Sequence, residues 1–140
     1  MGLNYRDIQI AIRNILISDT ALQALLGVSS TEVVNRVKVG HMANINVMSY
    51  PCITFNLENG GVDFNQFSAS SDLKINIWSK DNIDSAQLIY GRIKALLNLV
   101  PITGGGIARL LERRYNDSLY EVETRTHHIA VLYEIISINY

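Results

Sequence analysis

The sequence predicts an α+β fold: a mostly antiparallel four-stranded sheet packed by an N-terminal helix and one long middle helix, with a long hairpin arm. Three observations carry this. Apolar residues recur at helical spacing over 5–16 and 82–99. They alternate with polar ones over 52–58 and 71–79. An apolar run near the C-terminus, 119–138, again has the period of a strand. A length of 140 residues matches one domain, 1–140, and is enough to bury a core without disulfides or metal.

In 5–16, Ile8, Ala11, Ile12, Ile15 and Leu16 share a face, while Arg6, Gln9 and Arg13 fall elsewhere. Asp19 is placed to cap a short helix over 20–26, packed through Leu22, Leu25 and Leu26 and stopped by Gly27. Ser30 or Thr31 is placed to cap one further turn through Asn35. From Val37 the period changes, with Val37 and Val39 alternating with Lys38, and 40–49 loses regularity. Tyr50-Pro51 favours extended chain. The strand 52–58 sets Ile53, Phe55 and Leu57 opposite Thr54, Asn56 and Glu58.

Asn59-Gly60-Gly61 is turn chemistry, yet the next strand begins only near Ser71. The stretch 60–70, polar with the apolar teeth Val62, Phe64 and Phe67, reads as the arm. In 71–79, Leu73, Ile75 and Ile77 alternate with Asp72, Lys74, Asn76 and Trp78. Asp81 offers a cap for the helix 82–99, whose buried stripe is Ala86, Ile89, Ile93, Leu96, Leu97 and Val100. Pro101 and Gly104-Gly105-Gly106 end it.

The run 107–115 fits two readings. Leu110-Leu111 flanked by Arg109, Glu112, Arg113 and Arg114 suits a helix; a glycine-rich loop feeding an antiparallel sheet suits a strand, the simpler topology. The last strand, 119–138, puts Ile129, Val131, Tyr133 and Ile135 on one face. Its other face, Ala130, Leu132, Glu134 and Ile136, is also mostly apolar. A strand apolar on both sides is either central with both sheet faces covered or presses one face on a partner.

Composition and motifs exclude several function classes. Net charge is −1, which gives no global attraction to nucleic acid or an anionic membrane. No stretch reaches the roughly 20 apolar residues that span a bilayer, and the N-terminus lacks a signal-peptide pattern, so synthesis in a cytoplasm is expected. Cys52 is the only cysteine, and a small buried residue is the plain reading of it. His127-His128 would point to opposite faces of a strand, one ring at the edge and one solvated, and cannot readily chelate one metal. The three glycines follow a helix and lack the Lys and Ser/Thr of a phosphate loop. Glu121 and Glu123 share a face, with nothing near them to set their acidities apart. No nucleophile elbow exists. No catalytic group, metal or cofactor is expected, and the chain reads as a protein-binding module rather than an enzyme.

Arg109, Arg113 and Arg114 with Tyr115 form the only basic cluster beside an aromatic. Glu112 and Asp117 interrupt it, which favours intersubunit ion pairs or a charged rim over nucleic-acid contact. Trp78 is read either as buried under the first helix or as an interface anchor.

Taken in order, these pieces resemble the tail-terminator and tail-completion (head-to-tail joining) proteins of long-tailed bacteriophages. The likeness rests on Asp-Thr-Ala-Leu-Gln-Ala-Leu-Leu-Gly at 19–27, Tyr-Pro-Cys-Ile-Thr-Phe at 50–55, Ile-Trp-Ser at 77–79 opening a helix, and His-His-Ile-Ala-Val-Leu-Tyr-Glu-Ile at 127–135. It implies a homo-hexameric ring in the virion, at the head–tail junction, that caps the tail tube, stops its polymerisation and meets the head connector or stopper protein. The partners implied are other copies of the chain, the tail tube protein and that connector, with genome DNA passing through the lumen without sequence-specific binding. Interface contacts are expected at Val62, Phe64 and Phe67, at Trp78, and at Arg113 and Arg114 on a rim or lumen. The rival readings are another neck protein, such as a head-completion or stopper ring, and a ferredoxin-like nucleic-acid or ligand-binding domain.

Overall fold

The computed structural model describes residues 5–40, 49–59, 71–80, 83–102, 107–122 and 125–137. The elements run α1 (Tyr5–Ser18), α2 (Thr20–Leu26), a 3-10 turn (Val33–Asn35), β1 (Val37–Val39), β2 (Cys52–Asn59), β3 (Ser71–Ser79), α3 (Ile83–Leu97), β4 (Ile107–Glu121) and β5 (Thr126–Ser137). The fold is α+β, as expected, but among the described residues the sheet has five strands, in the order β1-β2-β3-β5-β4. It is mixed: β1 lies parallel to β2, pairing Val37 with Ile53 and Val39 with Phe55, and the other pairs are antiparallel.

The helices pack on one face of the sheet. Ile8, Ile12 and Leu16 of α1, at i, i+4 spacing, and Ala86, Ile89, Ile93 and Leu97 of α3 are buried against Ile53, Phe55, Leu73, Ile75, Ile77, Ile129, Val131, Tyr133 and Ile135. Burial of a Leu, Ile or Phe side chain contributes about 1.5–3 kcal/mol, so this single shared core stabilises every element that lines it. Of the stripe expected on the long helix, Val100 lies beyond the helix end and is exposed, because α3 stops at Leu97.

Local chemistry sets the helix ends. Asp19 caps α2, accepting from the Leu22 amide at 2.8 Å. Gly27 closes it at φ 73°, a left-handed conformation that glycine adopts without a Cβ clash, while the Val28 amide donates to the Gln23 carbonyl. The next turn is supported by the Ser29 hydroxyl, which accepts from the Glu32 amide, and not by Ser30 or Thr31. Arg13 of α1 donates to the carbonyls of Val34 and Val37, and Arg36 donates to those of Leu26 and Pro51. These four bonds hold the short β1 at the sheet edge, where so short a strand has little pairing of its own.

Of the two readings of 107–115, the strand holds, and it extends through Glu121. One further expectation is corrected. Residues 119–138 are not one strand: Leu119 to Glu121 finish β4, the chain turns, and Thr126 begins β5. The expected arm at 60–70 with Val62, Phe64 and Phe67, the Asp81 cap and the glycines at 104–106 lie outside the described residues.

Candidate functional site

The opposite face of the sheet carries no helix among the described residues, and the strand registers arrange its side chains in cross-strand rows. One row runs Cys52–Trp78–His128–Leu119, the next Thr54–Asn76–Ala130–Asn116, and the third Asn56–Lys74–Leu132–Arg114. Beyond that lies Asp72–Glu134–Leu111. The second apolar face of β5 is therefore the middle of this surface, and Ala130, Leu132 and Ile136 on it are only half-buried.

The first two rows form a rigid aromatic and polar layer. Trp78 is 5% exposed. It is buried away from α1, on the helix-free side, against Cys52 and Tyr50, which corrects the placement under the first helix. Its indole Nε1 donates to Thr54 Oγ1 at 3.1 Å, and its ring stacks on His128 with centroids 3.9 Å apart and planes 11° apart. His128 Nε2 donates to Asn76 Oδ1 at 2.7 Å. Burial, with Lys74 nearby, pulls the His128 pKa down to about 4, so the ring is neutral at physiological pH. Burial pushes the Cys52 thiol up to about 12. His127 tilts against Tyr120, with centroids 5.0 Å apart. Because β5 is an inner strand, neither histidine is a solvated edge residue, and both are part of the packing.

The third row borders an open cavity of about 530 Å³ lined by Lys74, Arg114, Tyr115, Asn116, Ala130, Val131 and Leu132. Lys74 and Arg114 flank the apolar floor from β3 and β4, and neither has an ion-pair partner among the described residues. Arg113 is the extra residue of a bulge in β4 and pairs with Glu134 at 3.3 Å. Asn56, in the same row, is buried with neither amide atom hydrogen-bonded.

Tyr115 does not join the arginines. It stacks on Tyr90 of α3 with centroids 4.3 Å apart, on the helix-bearing side, and its hydroxyl donates to Asp117. The Tyr90 hydroxyl donates to Glu112 at 2.7 Å, and burial together with that carboxylate raises its pKa. One face of the exposed Tyr115 ring is thus taken up by Tyr90 rather than by the arginines. Among the described residues no group of three His, Cys, Asp or Glu side chains gathers to hold a metal, and no helix is long and apolar enough to cross a membrane.

The family described as Tail completion protein gp17 matches residues 10–137. The chain belongs to that family. It is accordingly a structural protein of a phage tail and a component of a virion. A solved chain of the "virion of native gene transfer agent (GTA) particle" has the same fold, with a TM-score of 0.64 and 13% identity over 93% of each chain. No curated protein matches this tail-completion chain. The site residues expected from the sequence divide accordingly: Trp78, Arg113 and Arg114 share the helix-free face, and the three apolar residues of the arm lie outside the described residues. Nothing in the sequence links Lys74 to Arg114; only the register of three strands brings it and Leu132 beside that residue.

Proposed function

We propose that the chain forms a homo-hexameric ring at the head–tail junction that caps the completed tail tube, ends its polymerisation and joins it to the head connector or stopper protein. In this reading one tail-terminator-like domain spans 1–140, is made in the host bacterial cytoplasm and acts by steric and interfacial means, with no chemistry of its own. Membership of a tail-completion family supports this place, and the helix-free sheet face is the observation that carries the mechanism. A closed ring needs heterologous contacts, in which one patch of a subunit meets a different patch of the next. The open face, with its apolar floor and with Lys74 and Arg114 free of ion pairs among the described residues, supplies one such patch. Trp78 lies beneath it as a packed anchor and Arg113 and Arg114 border it, while Val62, Phe64 and Phe67 are assigned to tube or neighbour contact. Genome DNA passes through the lumen without base readout.

The test has two arms. Purified chain should show a native mass six times 15.7 kDa, and particles made without it should carry tail tubes of unregulated length. Tubes of normal length that fail to attach heads would overturn the capping role in favour of another neck protein.

A further inference from the structure

We infer that the groove bordered by Lys74, Leu132 and Arg114 receives the β4–β5 hairpin tip of a second copy of this chain, with Glu121 set between the two cations and Val122 on the apolar floor. This rests on the ring reading above and names its contact.

The groove and the tip complement each other in charge and in apolarity. Lys74 and Arg114 lie in register on either side of Leu132, their backbones two strand spacings, about 10 Å, apart. That gap leaves two unpaired cations facing across an apolar strip, which suits a carboxylate and a small apolar side chain arriving together. The tip presents that pair. Val122, at 77%, is the most exposed large apolar side chain among the described residues, and the adjacent Glu121 is exposed and has no ion-pair partner among them. The tip's cation, Arg125, stands on the returning side of the turn and would face the neighbouring Asp72–Glu134 row.

The tip cannot reach the groove of its own subunit. Six residues of extended β5 separate Thr126 from Leu132, roughly 20 Å along a paired strand. The contact therefore joins two different patches on two copies, the head-to-tail geometry that closes into a ring. A nucleic-acid phosphate is the poorer occupant: the Asp72–Glu134 row borders the cations and the floor is apolar.

The experiment uses the full chain carrying Val122→Cys and Leu132→Cys, oxidised and run on a denaturing gel, beside native masses of charge variants. The natural Cys52 is buried and stays out of the reaction. A ladder of disulfide-linked copies is expected. Lys74→Glu with Arg114→Glu, or Glu121→Lys alone, should weaken self-association by at least about tenfold, and the three together should restore it. A wild-type hexamer with no ladder and indifferent charge variants overturns this contact and leaves the ring standing. No self-association and no ladder in any variant overturns both. Saturable binding of polyglutamate or of a single-stranded oligonucleotide that depends on Lys74 and Arg114, without a ladder, overturns the second copy as occupant.

Discussion

Asp19 and Arg92, 73 positions apart, meet in a two-pronged ion pair with distances of 2.7 and 2.8 Å, while the same carboxylate caps α2. One side chain thus starts α2 at its junction with α1 and ties that junction to α3. Arg92 exposes about a third of its side chain and Asp19 only 13%, so the carboxylate is the better-ordered partner. Replacing Asp19 with Ala removes both roles and should cost about 1–2 kcal/mol, most of it the lost cap. Asn keeps the cap and loses the pair, so Asp19→Asn should unfold between wild type and Asp19→Ala in urea. Equal midpoints for the two variants would show that the cap contributes nothing.

The same pair predicts an acid response. The hydrogen bonds from Arg92 hold the Asp19 carboxyl below the usual carboxylate range against the opposing effect of partial burial. A depressed carboxyl contributes stability above its unfolded pKa, near 4, and that contribution is lost as pH falls through the folded value. Below pH 4 the urea midpoint of wild type should therefore converge on that of Asp19→Asn. A constant gap between the two down to pH 2 would contradict the assignment.

Leu99 sits at φ 60° just after α3, exposed, with its amide donating to the Leu110 carbonyl at 2.7 Å. A left-handed conformation costs a β-carbon-bearing residue about 1 kcal/mol that glycine does not incur. Leu99→Gly should leave stability unchanged or raise it by up to about 1 kcal/mol, because the exposed side chain gives up little packing and the added unfolded-state entropy offsets part of the relief. A loss above that size would mean that Leu99 is packed in a way its exposure does not suggest.

These effects also mark which parts of the fold the residue pattern could reveal. Asp19 and Gly27 stand at the two ends of a helix whose chemistry is entirely local, and both were readable. So were β2, β3 and α3, whose apolar period is unbroken. β4 was harder because three register shifts, at Ile107/Arg109, Glu112/Arg114 and Asn116/Leu119, break the two-residue period that marks a strand. The turn after Glu121 carries no Asn-Gly or Gly-Gly signal, and among its described residues the left-handed one is Arg125, at φ 56°, so β4 and β5 run together when read by pattern. β1 has three residues, and only its parallel pairing with β2 and the Arg13 and Arg36 anchors make it a strand. On the helix-free face, the two-sided apolar character of β5 was visible in Ala130, Leu132 and Ile136, but Trp78 could be assigned to a side only once the sheet order was known.

Thr54 and Trp78 should be energetically coupled. Their hydrogen bond is buried on both sides, so Thr54→Val leaves the indole donor unpaired at a cost of about 1–3 kcal/mol. In a Trp78→Phe background there is no donor to strand, and the same substitution should be nearly neutral. A double-mutant cycle in urea measures the difference; additive changes would show that the bond does not contribute.

Cys52 should be silent to thiol reagents in the native protein. With its pKa pushed up to about 12 by burial, the thiol at pH 8 holds roughly a thousandfold less thiolate than an ordinary cysteine. Labelling should then proceed only through unfolding, at a rate that rises with denaturant. Fast stoichiometric labelling without denaturant would show that the layer of Cys52, Trp78 and Tyr50 opens in the native state.

The stacked His128 and Trp78 give the protein an acid-sensitive layer with a built-in reporter, since Trp78 is its only tryptophan. His128 titrates near 4 in the folded chain and near 6.5 when unfolded, because burial and the Lys74 ammonium disfavour its charged form. The unfolded state therefore binds the proton first as pH falls. Stability is complete above pH 6.5 and declines between 6.5 and 4, by about 1–2 kcal/mol once the ring's partial exposure to solvent is allowed for. His128→Gln keeps an amide donor for Asn76 and removes the titration, so its urea midpoint should stay flat across that window while that of wild type falls. In the folded protein, charging the ring against the indole should quench Trp78 emission with a midpoint near pH 4. Quenching centred near pH 6.5 would mean that His128 titrates as an ordinary solvated histidine and that the layer is open to water.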